Sequence, residues 1–171
     1  RAEFRRRDHE TDTHTEIVVS PEDDIELRRI RITNGSRARR AIDLTSYAEI
    51  VLTSSAADAL HPAFSNLFVQ TEIIRERQAI LCTRRPRSHG EQAPWMFHLM
   101  ATHGAEIEEV SYETDRMRFI GRGNTVAVPH TMTSTAALSG SQGSVLDPIA
   151  AIRCRITLGP EESATINLVT L

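Results

Sequence analysis

The stretch Ser111–Gly123, SYETDRMRFIGRG, sets two carboxylates and three arginines around two aromatic rings and closes on Gly-x-Gly. Arg116 and Arg122 could hold sugar hydroxyls or a phosphate through planar guanidinium forks. Tyr112 and Phe119 could offer a ring face to a sugar, with Asp115 accepting hydroxyls beside them. Tyr112, Asp115, Arg116 and Arg122 are therefore the candidate substrate-binding residues. The same composition also suits a loop stapled by arginine–carboxylate bonds, with Phe119 and Ile120 anchored in the core. Ion-pair networks imitate functional sites, and chemistry alone leans toward the stapled loop.

Other clusters carry weaker signals. In RRRDHETDTHTE, an extended chain would put Asp8, Glu10, Asp12 and His14 on one face, a row of ligands suited to a hard cation. A straight strand cannot wrap an ion with four neighbours, so the charged solvent face of an edge strand is the expected reading and no metal site is assigned. His98 and His103 flank LMAT and would serve proton transfer only with a carboxylate brought near; Glu113 is the candidate, and hydrogen-bonded structural histidines are favoured. Zinc spacings, GxSxG and GxxxxGK[ST] do not occur. Gly121 and Gly123 in GRGN read as a turn needing positive φ, not as a dinucleotide loop. No cofactor is implied.

Bulk properties narrow the class. At 171 residues and a net charge of −3, the chain fits one folded domain and lacks the basic stripe of a nucleic-acid binder. All 20 basic residues are arginine, which suits fixed bidentate contacts better than lysine would. Cys82 and Cys154 sit in apolar runs and read as small buried thiols. No apolar run reaches membrane-helix length. The missing initiator Met and the alternating run SATINLVTL at the end read as the cut edges of a longer protein.

Period two dominates, and the elements that must carry these residues are strands. In AIDLTSYAEIVLT, Ile42, Leu44, Ala48, Ile50 and Leu52 share one face, broken only by Ser46. Ile25 and Leu27 differ in parity from Ile30 and Ile32, implying either a bulge near Arg28–Arg29 or a strand passing between two environments. Asn34–Gly35 is a hairpin turn signal that would pair 25–33 with 41–53. Residues 152–158 and 164–168, split by GPEES, read as a second hairpin. LFVQTEII, QAILCT and WMFHLMA are short strands, RRPRSHGEQAP (84–94) and TSTAALSGSQGS are connectors, and SAADALHPAFSN holds a helical turn stopped by Pro62. The expected fold is all-β, an antiparallel β-sandwich.

SPEDDIELRRIRITN, LTSYAEIVL, HPAFSNLFVQTE, CTRRPRS, SYETDRMRFIGRG and GSVLDPIAAIR follow one another in the order seen in cyclic β-1,2-glucan synthases. From about Glu16 onward the chain resembles their β-supersandwich domain, in the glycosyltransferase family 36 and glycoside hydrolase family 94 group. The resemblance implies a galactose-mutarotase-like supersandwich, incomplete here because the family's β-domain is longer. It implies an (α/α)-barrel partner, outside this chain, that carries the catalytic aspartate and most of the phosphate site; Asp115 does not match that motif. It also implies β-glucan as a possible contact of the 112–122 loop, dimer contacts through the β-domain, and no direct membrane contact. A parent using UDP-glucose and phosphorolysing chain ends is implied too, a bacterial inner-membrane protein with this domain facing the cytoplasm. Two other functions remain open: a small mutarotase-like enzyme using His98 or His103 with Glu113, by fold analogy, and a pure domain-docking module.

Overall fold

The structure, a computed structural model, describes residues 1–86 and 88–171. The alternating runs form β1 (Ala2–Asp8), β2 (Thr11–Val19), β3 (Glu26–Asn34), β4 (Arg40–Thr45), β5 (Ala48–Glu49), β6 (Val69–Ile74), β7 (Ala79–Arg84), β8 (Trp95–His103), β9 (Glu106–Asp115), β10 (Pro148–Leu158) and β11 (Ser163–Thr170). Among the described residues three short α-helices interrupt them: α1 (Ser55–Leu60), α2 (Pro62–Asn66) and α3 (Arg116–Ile120). One sheet runs β1-β2-β3-β11-β8-β7-β6. In the other, β10 pairs with β4, β5 and β9. Every strand pairing among the described residues is antiparallel. Position 87, inside the expected connector 84–94, lies outside the described residues.

The inner faces meet in one apolar core. Ile32, Ile80, Met100 and Ile166 come from the larger sheet, and Ile152, Cys154, Ile156 and Leu158 from β10. Strand alternation puts these residues on one side, and β10 is buried along almost its whole length because a loop covers its other face. Cys82 and Cys154 are free, buried thiols, as their apolar runs implied.

Both expected hairpins are corrected. β3 pairs with β2 and β11, whereas β4 pairs with β10. The Asn34–Gly35 turn therefore crosses between sheets, and so does the Gly159–Glu162 turn from β10 to β11. Alternation shows which side of a strand is buried but not which strand lies beside it. Here the two halves of each apparent hairpin face one another across the core. The two crossings are tied together: Asn34 donates from its side chain to the carbonyls of Leu158 (3.2 Å) and Gly159 (2.9 Å). Its backbone exchanges bonds with Glu161 and Glu162. An amide buried this fully must satisfy its polar atoms within the protein, and these bonds do so.

Four smaller expectations shift. The register of β3 is unbroken, so no bulge re-aims it; Leu27 faces outward while Ile30 and Ile32 face the core. The long strand over 41–53 is cut at Ser46, whose backbone N–H and hydroxyl are drawn to Ile152. Ile42, Leu44, Ile50 and Leu52 still share the buried side. Residues 55–66 hold two helices, and Pro62 starts the second, where its missing N–H is harmless. RRRDHETDTHTE is not one strand. It turns back at His9–Glu10, so β1 becomes a fully exposed edge strand and Asp8 and Glu10 part from Asp12 and His14.

Candidate functional site

The 111–123 stretch changes character at Asp115. Up to that point it is β9, paired to β10. Asp115 then caps α3, its Oδ1 accepting from the backbone N–H of Met117 (2.9 Å) and Arg118 (3.4 Å). Gly121 closes the helix at φ +80°, and a Cβ there would lie 2.7 Å from the His130 Cβ. Gly123 also has positive φ, so both glycines serve the turn expected of them. Phe119 and Ile120 pack with Leu138, Ile149 and Ala151 on the outer side of β10, forming a second small core. The Phe119 ring tilts against Tyr47 at 5.0 Å.

Around this anchor lies a polar corner. The Tyr47 hydroxyl donates to Glu49 Oε1 (2.9 Å), and Arg116 Nε donates to the same oxygen (3.1 Å). Arg116 also reaches to 3.7 Å from Asp147, whose other oxygen accepts from Asn66 Nδ2 (3.1 Å). The Tyr47 hydrogen bond, then Arg116, holds the Glu49 carboxyl below its ordinary value. Partial burial pushes Asp147 up, against the pull of Arg116. The residues next to these links in the chain, Met117, Leu67 and Leu146, have exposed apolar side chains.

Beyond α3, the segment to β10 is strapped across the outer face of the smaller sheet. Arg153, 4 % exposed, donates to the carbonyls of Thr131 (2.6 Å), Ser134 (3.3 Å) and Ala136 (2.9 Å). It also donates to Thr45 Oγ1 on β4 (3.0 Å). Arg155 forms a bidentate pair with Asp43 (2.7 and 2.8 Å) and reaches the Thr135 carbonyl. That pairing, opposed by burial, holds Asp43 below its ordinary value. Glu113, 1 % exposed, accepts from the backbone N–H of Thr114 and Asp115 (both 3.0 Å) and from the Ser139 hydroxyl (2.6 Å) and that of Ser141.

The candidate residues thus separate. Tyr112 is 2 % exposed, with the Arg75 guanidinium 5.4 Å above its ring, so it presents no open ring face. Phe119 is buried likewise. Asp115 is committed to its cap, and its other oxygen lies 3.7 Å from Arg118. Arg116 is paired but partly exposed, and Arg122 is exposed with no side-chain partner among the described residues. The stapled-loop reading therefore describes the geometry of this stretch.

The acid–base couple considered for a mutarotase-like activity does not form. His98 lies between the sheets, bridging Thr170 (Nδ1, 2.9 Å) and Ser46 (Nε2, 2.9 Å). Glu113 faces the strap on the far side of β9, and His103 lies on the outer face of the larger sheet, opposite Thr165. Burial, aided by Arg28 against Glu26, pushes His98 down to about 4, which keeps it neutral. The one metal-like cluster found among the described residues is Glu3, His14 and Glu16, not the row Asp8, Glu10, Asp12 and His14, to which no metal site is assigned. Arg1 already binds both of its carboxylates.

Tyr47, Glu49, Asp147 and Arg153 were not singled out by motif. An arginine inside the otherwise apolar run IAAIRC was the available signal for Arg153, since a strand buried on both faces leaves a cation needing acceptors. Chemically, the corner offers guanidinium donors and a tyrosine hydroxyl, a set suited to holding hydroxyl-rich or anionic groups.

The family model for the glycosyl hydrolase 94 supersandwich domain matches residues 1–171. The chain is 38 % identical over 153 residues to cyclic beta-(1,2)-glucan synthase NdvB of Rhizobium meliloti (strain 1021), covering 90 % of this chain and 5 % of that protein. It is 24 % identical over 153 residues to solabiose phosphorylase of Paenibacillus borealis, covering 88 % of this chain and 18 % of that protein. The chain therefore spans a small part of the curated relatives it matches.

Proposed function

The chain belongs to the glycosyl hydrolase 94 supersandwich-domain family, and from that premise we propose that it is a non-catalytic accessory domain of a cyclic β-1,2-glucan synthase or glucan phosphorylase-like protein. It buttresses an (α/α)-barrel catalytic domain supplied by neighbouring polypeptide, and it contacts glucan at the Arg116–Arg122 corner. The observation that carries this reading is the family match along the whole chain. The polar corner, with Met117, Leu67 and Leu146 exposed beside its residues in the chain, supports it, because a surface that docks a second domain combines exposed apolar residues with polar ones. The free edge of β1 offers a route to self-association in the parent. Placement on the cytoplasmic side of a bacterial inner membrane belongs to the same proposal; no helix among the described residues is long and apolar enough to cross a membrane.

The test has two parts. Purified chain incubated with linear β-1,2-glucan and phosphate releases no sugar phosphate. Calorimetry with the same glucan gives weak binding that Arg116→Ala and Arg122→Ala reduce. Turnover by the purified chain would refute the accessory role. Absence of glucan binding would leave a docking module, a second reading that the exposed apolar side chains favour.

A further inference from the structure

The outer face of the larger sheet carries a row of basic side chains set by register. Arg5 on β1 lies opposite His14 on β2, and His14 lies opposite Arg31 on β3. The row runs on through Thr165 to His103. Arg5 and Arg31 flank His14 from its two neighbouring strands, and the carboxylates of this face have other partners. Arg1 binds Glu3 and Glu16, and Arg7 lies 3.7 Å from Asp12. His14 Nε2 is 3.4 Å from Glu3, and Arg5 acts on Glu3 only at longer range. Arg5 and Arg31 make no side-chain hydrogen bond or ion pair among the described residues. In a chain of net charge −3, this face over β1, β2 and β3 sets Arg1, Arg5, Arg7, Arg29 and Arg31 against Glu3, Asp12 and Glu16. A depression of about 500 Å³ lies over it, lined by Arg5, Arg7, Asp12, His14, Arg31 and Thr33 among others.

We propose that this row binds a phosphate group. Arg5 and Arg31 are two strand spacings apart, about 10 Å between backbones. Long side chains from both sides converge over His14, where one tetrahedral oxyanion accepts from two guanidinium forks. An occupying oxyanion gives Arg5 and Arg31 the counter-charge that no ion pair among the described residues supplies, which gives the arrangement its physical rationale. The inference is independent of the accessory-domain reading, since it rests on strands at the opposite side of the fold from the 115–122 corner. The phosphate could be free or esterified to a sugar, and the experiment separates the two.

Inorganic phosphate and glucose 6-phosphate are each titrated into the isotopically labelled chain at constant ionic strength, following the Arg5, His14 and Arg31 amide resonances. Saturable shifts are expected with one or both ligands. Arg5→Gln and Arg31→Gln each weaken the affinity about tenfold, the loss of one charge-assisted contact. Arg37→Gln, an exposed arginine outside the row, leaves it unchanged. Binding of phosphate alone or of both ligands assigns the site to the phosphate group, and binding of the ester alone assigns it to a sugar phosphate. Non-saturable shifts, or equal affinity in Arg5→Gln, Arg31→Gln and Arg37→Gln, would overturn the proposal.

Discussion

Acidification should weaken the sandwich through His98. In the fold this imidazole is buried between the sheets, bonded to Thr170 and Ser46, and its pKa is pushed down from 6.5 to about 4. In the unfolded chain it returns to its ordinary value, so between these limits the unfolded state binds more protons than the folded one. Stability therefore rises with pH through the window. The contribution is complete above pH 6.5 and is lost as pH falls toward 4. A shift of this size corresponds to about 3 kcal/mol, at about 1.4 kcal/mol per pH unit where the slope is steepest. Urea unfolding at pH steps from 7 to 4 measures it, with His98→Gln as reference. The amide keeps a hydrogen bond toward Ser46 but does not titrate. Asp43, Glu49 and Glu3, held below their ordinary values by hydrogen bonds and arginines, lose stability at lower pH in both proteins and cancel in the difference. Wild type minus His98→Gln should fall by about 3 kcal/mol on going from pH 7 to 4. A difference flat to within about 0.5 kcal/mol, or an imidazole resonance titrating near its unfolded value, would refute the burial argument.

Three further outcomes follow from the strap and the core. Glu113→Ala removes the acceptor for two backbone N–H groups and two serine hydroxyls, and chemical denaturation should show a loss of about 2–3 kcal/mol. Arg153→Met frees the carbonyls of Thr131, Ser134 and Ala136, so limited proteolysis within 122–137 should accelerate well before global unfolding. The Cys82 thiol, pushed by burial up to about 12, should resist a thiol reagent at pH 8 until denaturant is added; labelling of the native chain at the rate of a free thiol would contradict its placement.

Strand positions were largely legible because a half-buried strand writes its orientation into alternate residues. The runs read at LFVQTEII, QAILCT and WMFHLMA became β6, β7 and β8, and the inward faces of Ile30, Ile32, Ile152 and Ile166 followed parity. Partnership was not legible. Asn34–Gly35 carries the chemistry of a tight turn, yet its side chain is spent on the neighbouring crossing, a long-range contact that no local pattern encodes. At the corner, the stapling role of the arginines could be read from composition, whereas the partners Glu49 and Asp147 could not. They lie 67 and 31 residues from Arg116 in the chain and meet it only once β5 and β10 are in place. Tyr112 shows the limit of residue type as a guide: a tyrosine on an alternating strand faces inward or outward according to register, and register here turned it in.

The placement of β11 between β3 and β8 sets the order in which the molecule can assemble. A ribosome delivers β1, β2 and β3, and later β6, β7 and β8, long before it delivers the strand that splices them. Until then each trio exposes an unpaired inner edge and a half-built apolar face, the kind of species that chaperones recognise and that aggregates when left waiting. Closure depends on bringing remote parts of the chain together, a slow route for any β-rich topology. Deleting Ser163–Thr170 would therefore do more than trim a terminus: it would leave two three-stranded leaflets with nothing to weld them.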